Sequence, residues 1–522
     1  MQEGSVPGPA YKYTVAIIVT VGTFMSLLDT NIVVICLPKI MASLNTDIYG
    51  IQWVVMAYLV ASAITMPVIH WITKLIGSKQ VYLIGLLIFT IMSIFCGQAK
   101  SIEAMIVSRI LQGVGEGLVV PIALIILNEV FPPEERGLAM GIYGLGIAIG
   151  PALGPPLGAF LTDRFNWRWI FYINIPIGFI ALIAATLTIK PTPREKRRRS
   201  NFDFPGFAAM SIGIASLIIA LGKGQEKGWS SDYILSLFLV CLISSSLFFL
   251  RESKTEEPLI KPNIFHNRNF ILASSVGFLW FASTLGSFFL LPIYMVNLKG
   301  YPTLLTGMIV FPHAIPAAFA MVIGGKLCDR MNPKIILGIG VVYFAFWSFS
   351  FSQFDFYTSK SQIFWYVTLW GPGFGLINAP ALAIAISALG RDEETIQMGT
   401  GLVTILRLLG GCVGTAISTT VFERRIDYHF EALRAKVTYS NTTAMQTLKK
   451  LTMYFQDKGS PEALAELKAK SVLTMHTIEK ATSYAFSDAF FAAAIIIAIG
   501  VMPVLLIRLT KKADTGYLIS SD

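Results

Sequence analysis

Five polar side chains stand where an apolar chain has no ordinary use for them. Asp29 lies in the stretch Leu28-Asp29-Thr30-Asn31, well inside an apolar run that opens near Thr14. A carboxylate at that depth in a membrane costs about 2.5–3.5 kcal/mol even on the lenient insertion scale, so it marks an ion or substrate path. In a later run, Arg109, Gln112 and Glu116 fall at i, i+3 and i+7 and share one helix face. An arginine and a glutamate buried together predict a charge network facing the interior of a helix bundle. His313, between Pro312 and Pro316, is a further titratable group.

The residues around these groups are small. Gly113, Gly115 and Gly117 interleave with the charged face and permit close helix approach. Their GxGxG spacing is not a dinucleotide loop, because no strand precedes it. A second pattern, Gly146-x-x-x-Gly150-Pro151-x-x-Gly154-Pro155-x-x-Gly158, makes a smooth helix face that the prolines bend. No GxSxG or HExxH motif and no buried His/Cys metal cluster is present, which argues against a membrane enzyme. The five cysteines, Cys36, Cys96, Cys241, Cys328 and Cys412, sit in or at the ends of apolar segments without CxxC spacing. They read as small buried hydrophobes. No cofactor is expected.

The elements that must carry these residues follow from composition. Of 522 residues, 54% are hydrophobic and 14% charged, against about 25% charged in a soluble protein. Mean hydropathy is +0.65. A spanning helix needs about 20 mostly apolar residues. Fourteen such runs are predicted: 14–37, 52–72, 80–98, 102–127, 138–161, 169–189, 205–222, 233–250, 270–295, 304–325, 335–354, 362–388, 398–422 and 486–507. They are numbered here as spans 1 to 14. The fold class is therefore an all-α polytopic membrane protein. A β-barrel is excluded, since its strands would be about 10 residues with alternating polarity.

The net charge of +10 does not point to nucleic acid. The termini and the loops after even-numbered spans hold 21 Lys/Arg, six of them between Lys190 and Arg199, whereas the short loops of the other side hold 8. Both termini are thus expected in the cytoplasm. The long polar segment 423–484 falls outside and reads as a helical hairpin. Met445, Leu448, Leu451 and Phe455 recur at helical spacing. Gly459 ends that helix, Ser460 is expected to cap the next, and Leu464, Leu467, Val472, Met475 and Ile478 continue it.

An internal repeat is also legible. Gly325-Lys-Leu-Cys-Asp329-Arg330-Met-Asn-Pro-Lys334 follows span 10, and His70-Trp-Ile-Thr-Lys74-Leu-Ile-Gly77-Ser-Lys79 stands at the equivalent place after span 2. Pro121 and Pro380 match in spans 4 and 12.

With Leu-Asp-Thr at Asp29, RxxQGxG at Arg109, GxxxGPxxG at Gly150, Trp167-Arg168-Trp169-Ile-Phe-Tyr-Ile-Asn174-Ile-Pro176 and Arg407-Leu-Leu-Gly410-Gly411, the chain resembles the fourteen-helix drug/proton antiporters of the major facilitator superfamily. The likeness is to the EmrB/QacA type, and more to its EmrB-like branch. The resemblance implies two six-helix bundles, with spans 7 and 8 inserted between them. The expected division is 1–190, 191–268 and 269–522. It further implies alternating access driven by a proton gradient, and it associates the Gly-Pro motif of span 5 with export. Lys74 replaces the family's usual acidic residue in the first cytoplasmic loop motif. His313 stands in span 10, where QacA-type exporters of dications carry an acid.

The expectation is an exporter of hydrophobic and amphipathic compounds in the inner membrane. Asp29 and Glu116 exchange protons with substrate, Arg109 assists Glu116, and His313 is a second proton site. Gln112, Gly113, Gly146, Gly150, Pro151, Gly154, Lys74, Asp329, Arg330 and Arg407 serve conformation, with Arg407 as a helix-packing charge. Asn31, Phe278, Trp280 and Phe281 are cavity candidates. The expected partners are the lipid bilayer, hydrophobic small molecules and, by resemblance, a periplasmic adaptor with an outer-membrane channel. A proton-coupled importer of a small solute is the alternative on the same fold.

Overall fold

The structure is a computed structural model that describes residues 9–132, 135–191, 202–255, 258–390, 393–437, 441–511 and 517–519. Most of the basic run Lys190–Arg199 lies outside the described residues. Among the described residues, fourteen helices are long and apolar enough to cross a membrane. Spans 1 to 7 are Ala10–Ser43, Ile48–Val68, Ser78–Gln98, Ile102–Val130, Gly141–Arg164, Trp169–Thr188 and Phe204–Lys227. Spans 8 to 14 are Asp232–Glu252, Arg268–Leu298, Thr303–Cys328, Pro333–Phe351, Lys360–Ser387, Thr395–Arg434 and Glu462–Leu506. Short polar caps start several of them: Asp47, Ser101, Asn267 and Ser359 each accept a backbone N–H of the first turn. Near the C-terminus, Leu509–Lys511 pairs antiparallel with Tyr517–Ile519, a small ladder on an otherwise helical chain.

Spans 1–6 and 9–14 form two six-helix bundles, and the glycine patterns show why they pack so closely. Span 5 lies along span 1. A Cβ at Gly150 would come 3.0 Å from Leu27 Cβ, and one at Gly154 would come 2.8 Å from Asn31 Cβ. Gly146 and Gly158 extend the contact to Thr20 and Ile32. The C-terminal bundle repeats the device between spans 9 and 13, where Gly410 meets the Phe278 carbonyl and Gly414 meets Ala282. In span 4, Gly113, Gly115 and Gly117 let the backbone close on Tyr58, Phe89 and Ser62. Spans 7 and 8 pair with each other, and span 7 also touches spans 2 and 13. Many apolar side chains, Leu187, Leu242 and Phe319 among them, point outward, as helices in lipid require.

The internal repeat has a physical role. Lys79 donates its ammonium to the carbonyl of Thr186 at 2.7 Å, and Lys334 donates to those of Leu505 and Ile507 at 2.9 and 2.7 Å. Each lysine thus covers exposed carbonyls at the end of the last span in its own bundle.

The bundles touch at several points. At the end that bears the hairpin, Leu304 N donates to Asp163 Oδ2 at 2.8 Å, Gly307 packs on Pro155 and Ala159, and Cys412 Sγ reaches the Met56 carbonyl. Towards the termini, a Cβ at Gly141, Gly144, Gly325 or Gly401 would meet nothing within 4 Å.

The hairpin differs from the sequence expectation in two places. Spans 13 and 14 run past the expected borders near 422 and 486 as unbroken helices, because no Gly or Pro interrupts either polar extension there. Between them a separate helix spans Thr442–Asp457, capped by Asn441. Gly459 ends the turn with φ +85°, but Ser460 is not the next cap. Pro461 occupies that position without a side-chain bond, and Ser460 Oγ accepts from Lys468 instead.

Candidate functional site

The first site is a buried charge network in the N-terminal bundle. Asp29 is wholly buried and Arg109 is 1% exposed. Arg109 Nη1 donates to Asp29 Oδ2 at 2.5 Å and to Gln112 Oε1 at 2.8 Å, and its Nε donates to the Val54 carbonyl at 2.9 Å. The other carboxylate oxygen, Asp29 Oδ1, accepts from Asn174 Nδ2 at 2.6 Å and Gln112 Nε2 at 3.1 Å. Ser93 Oγ accepts from Gln112 at 2.8 Å. The Tyr58 ring lies 3.9 Å below the guanidinium, a cation–π contact that completes the enclosure. Spans 1, 2, 3, 4 and 6 each contribute a member, so the charge state of one carboxylate is tied to the packing of nearly the whole bundle.

Glu116 is close by but not in the network. It shares the helix face of Arg109, yet two turns separate them, about 10 Å along the axis. Arg109 is paired with Asp29, so the direct Arg109–Glu116 partnership expected from the sequence is not what forms. Glu116 is 6% exposed and lies against Tyr58 and Ser62. Glu116 Oε2, Tyr58 Oη and Ser62 Oγ all lack a well-formed hydrogen bond. Glu116 stands nearer than Asp29 to the end of the bundle on the side of the chain termini.

The second site is in the C-terminal bundle. Arg407, on span 13, donates from Nη1 to Asn378 Oδ1 at 2.7 Å and from Nη2 to the Asn378 carbonyl at 3.3 Å. Its guanidinium lies 5.5 Å from the ring of Trp280. Trp280 packs edge-on against Phe374 at 4.6 Å, and Phe374 touches His313 at 6.0 Å. His313 is buried between Phe288 and Trp370, at 5.2 and 5.1 Å. An aromatic wall therefore runs from Arg407 to His313.

The remaining candidates divide. Asn31 bonds back to the Leu27 carbonyl and packs on Gly154. Phe278 and Phe281 pack on Gly410 and Gly411, while Trp280 belongs to the second site. Lys74 is half-buried and Arg330 exposed; the side chain of Asp329 lies outside the described part of the structure. No disulfide joins the cysteines, and the described residues hold no cluster of metal-ligating side chains. Sequence reasoning assigned no role to Ser93, Tyr58 or Asn378 and quoted Asn174 only within a motif. The available signal was that each is a lone polar residue within an apolar run.

The model of the family described as Major Facilitator Superfamily matches residues 19–415. The chain belongs to the Major Facilitator Superfamily. It is a multi-pass membrane transporter. Its relatives include the multidrug transporter protein MdtP of Bacillus subtilis, 31% identical over 78% of this chain and 74% of that one. The multidrug export protein EmrB of Escherichia coli K12 is 28% identical over 88% of each chain. Among solved structures, a bacterial homologue of the human lysosomal transporter Spinster, in an inward-facing and occupied conformation, aligns over 96% of this chain and 97% of that one. Its TM-score is 0.64 at 14% identity, a likeness of fold. The superfamily fold thus accounts for both bundles.

Proposed function

We propose that this superfamily member is a proton-coupled exporter of hydrophobic and amphipathic toxic compounds, set in the inner membrane with both termini in the cytoplasm. The observation that carries the reading is Asp29: a wholly buried carboxylate whose two oxygens are held by Arg109, Gln112 and Asn174. Adding a proton removes the charge on which this network is built and leaves Arg109 without its counter-ion. The members come from five spans, so the network must rearrange with the bundle. That links proton binding to the change of access. In this reading Glu116, whose Oε2 has no hydrogen-bond partner and which lies about two turns from Asp29 towards the side of the chain termini, passes the proton on. The drug-transporting relatives support export, and the Lys/Arg distribution supports the orientation.

The hairpin is the proposed contact for a periplasmic adaptor and, through it, an outer-membrane channel. Its inner stripe, Met445, Leu448, Leu451 and Phe455, is half-buried, whereas Leu467 and Met475 are 62% and 63% exposed. Helix faces of that kind need a cover. Replacing residues 440–480 with a short flexible linker is expected to abolish adaptor co-purification and resistance in cells, while transport in proteoliposomes survives. Persistence of both after the replacement removes the hairpin from this role.

Direction is tested in inverted membrane vesicles with an imposed proton gradient. Drug accumulation inside them supports export. Accumulation only in right-side-out vesicles favours the importer.

A further inference from the structure

Span 10 starts without a cap of its own. A helix leaves its first N–H groups without partners, and a side-chain oxygen just ahead of the first turn normally takes one. Here that position is Pro302, which has no side-chain acceptor. The acceptor comes from the other bundle instead. Asp163, the last residue but one of span 5, accepts the Leu304 N–H on Oδ2 at 2.8 Å, across 141 residues of sequence. A carboxylate there also meets the positive end of the helix dipole. One turn further in, Gly307 lies against span 5: a Cβ would come 2.5 Å from the Pro155 carbonyl oxygen and 2.5 Å from Ala159 Cβ.

The two sides of this contact are held differently. The end of span 5 is pinned within its own bundle, since Cys36 Sγ lies 3.0 Å from Thr162 Oγ1 and 3.5 Å from the Gly158 carbonyl oxygen. The start of span 10 is a short arm. A 3₁₀ turn at Phe311–His313, which contains Pro312, separates Thr303–Val310 from Ala314–Arg330. Asp163 is exposed, so water can take over its oxygen when the contact breaks.

We propose that Asp163 is a latch between the bundles at the hairpin end, and that release of the span 10 arm from it is a step in opening that end. A transporter of this fold opens its two ends in turn, and this contact has to break when the hairpin end opens. The assignment holds for export and import alike, so its failure leaves the direction of transport untouched.

The protein carries its own reporter. Cys412, on span 13, is wholly buried and donates from Sγ to the Met56 carbonyl of span 2 at 3.7 Å, a second contact between the bundles at that end. Cys96 is equally buried but lies inside the N-terminal bundle, on Gln112. Parting of the bundles uncovers Cys412 and leaves Cys96 covered, whereas unfolding uncovers both.

The experiment treats the full-length protein in nanodiscs with N-ethylmaleimide and follows each cysteine by mass spectrometry. The reagent is kept dilute enough for the rate to report the open population. Asp163→Ala is expected to speed labelling of Cys412 about fivefold, the worth of one helix cap, with Cys96 unchanged. Asp163→Asn keeps an oxygen for the Leu304 N–H and should fall between. Asp163→Ala/Pro302→Ser gives span 10 a cap on its own chain but no link across the bundles, so fast labelling should persist. Return of that double variant to the wild-type rate makes Asp163 a helix cap alone and overturns the latch. So does equal labelling of Cys412 in wild type and Asp163→Ala, or an equal acceleration at Cys96. Gly307→Ala serves if Asp163→Ala does not fold. It wedges spans 5 and 10 apart and should speed Cys412 but not Cys96, and an unchanged Cys412 rate there counts against the latch in the same way.

Discussion

The two bundles each bury an arginine, and they treat it in opposite ways. In the N-terminal bundle both oxygens of Asp29 and two nitrogens of Arg109 are engaged, by each other, by Gln112 on Arg109's own span and by Val54 and Asn174 on two others. In the C-terminal bundle Arg407 has one asparagine, an aromatic ring and an Nε without a hydrogen-bond partner, packed on Gly277. A closed network of fixed charge responds mainly to a proton, because nothing else small enough can enter it. The difference sets a closed charge pair in one bundle against an unpaired cation in the other, within a fold whose two halves are built on the same plan.

The strongest way to break this contrast is Asp29→Asn. It should abolish gradient-driven transport in proteoliposomes. It should also lower stability by about 3–5 kcal/mol, because removing one partner leaves Arg109 buried and unpaired. Thermal unfolding in detergent reads the second effect, and a variant that both pumps and melts like wild type ends the coupling role of Asp29. The double variant Asp29→Asn/Arg109→Gln removes both buried charges. It is expected to recover most of the stability and none of the transport, which separates packing from coupling in a single protein.

Glu116→Gln should have a smaller consequence. Transport persists at a reduced rate with an altered pH profile, and the melting temperature hardly moves, since Glu116 makes no ion pair. An unaltered profile would leave Glu116 out of the proton path. Smallest of all is the expected effect of Arg407→Gln on stability, within about 1 kcal/mol of wild type. It loses two bonds to Asn378 and relieves an uncompensated charge. A loss as large as that of Asp29→Asn would show that Arg407 holds the helices together and would dissolve the contrast.

The parts of this protein that the sequence made legible are those governed by local rules. Apolar runs of helix length count the spans. Glycines at four-residue intervals mark the faces where helices approach. Lys79 and Lys334 stand at matching points of the repeat, although nothing local says that each covers the carbonyls of a helix more than a hundred residues away. Asp29 and Arg109 stand out because charge inside an apolar run is costly. Arg109 takes Asp29 and not Glu116 as its ion-pair partner for a geometric reason: a shared helix face does not remove a two-turn separation, while a partner on another span has no such limit.

The sequence by itself determined that the chain is a fourteen-span helical membrane protein with buried ionisable groups, because hydropathy, charge and helical period act residue by residue. Only the tertiary structure decided which of those groups meet. Asp29 reaches Arg109 across 80 residues and Asn174 across 145. No periodicity encodes such pairings, which are set by the docking of spans. The same docking left Arg407 without a carboxylate among the described residues, an outcome that depends on how several helices dock at once.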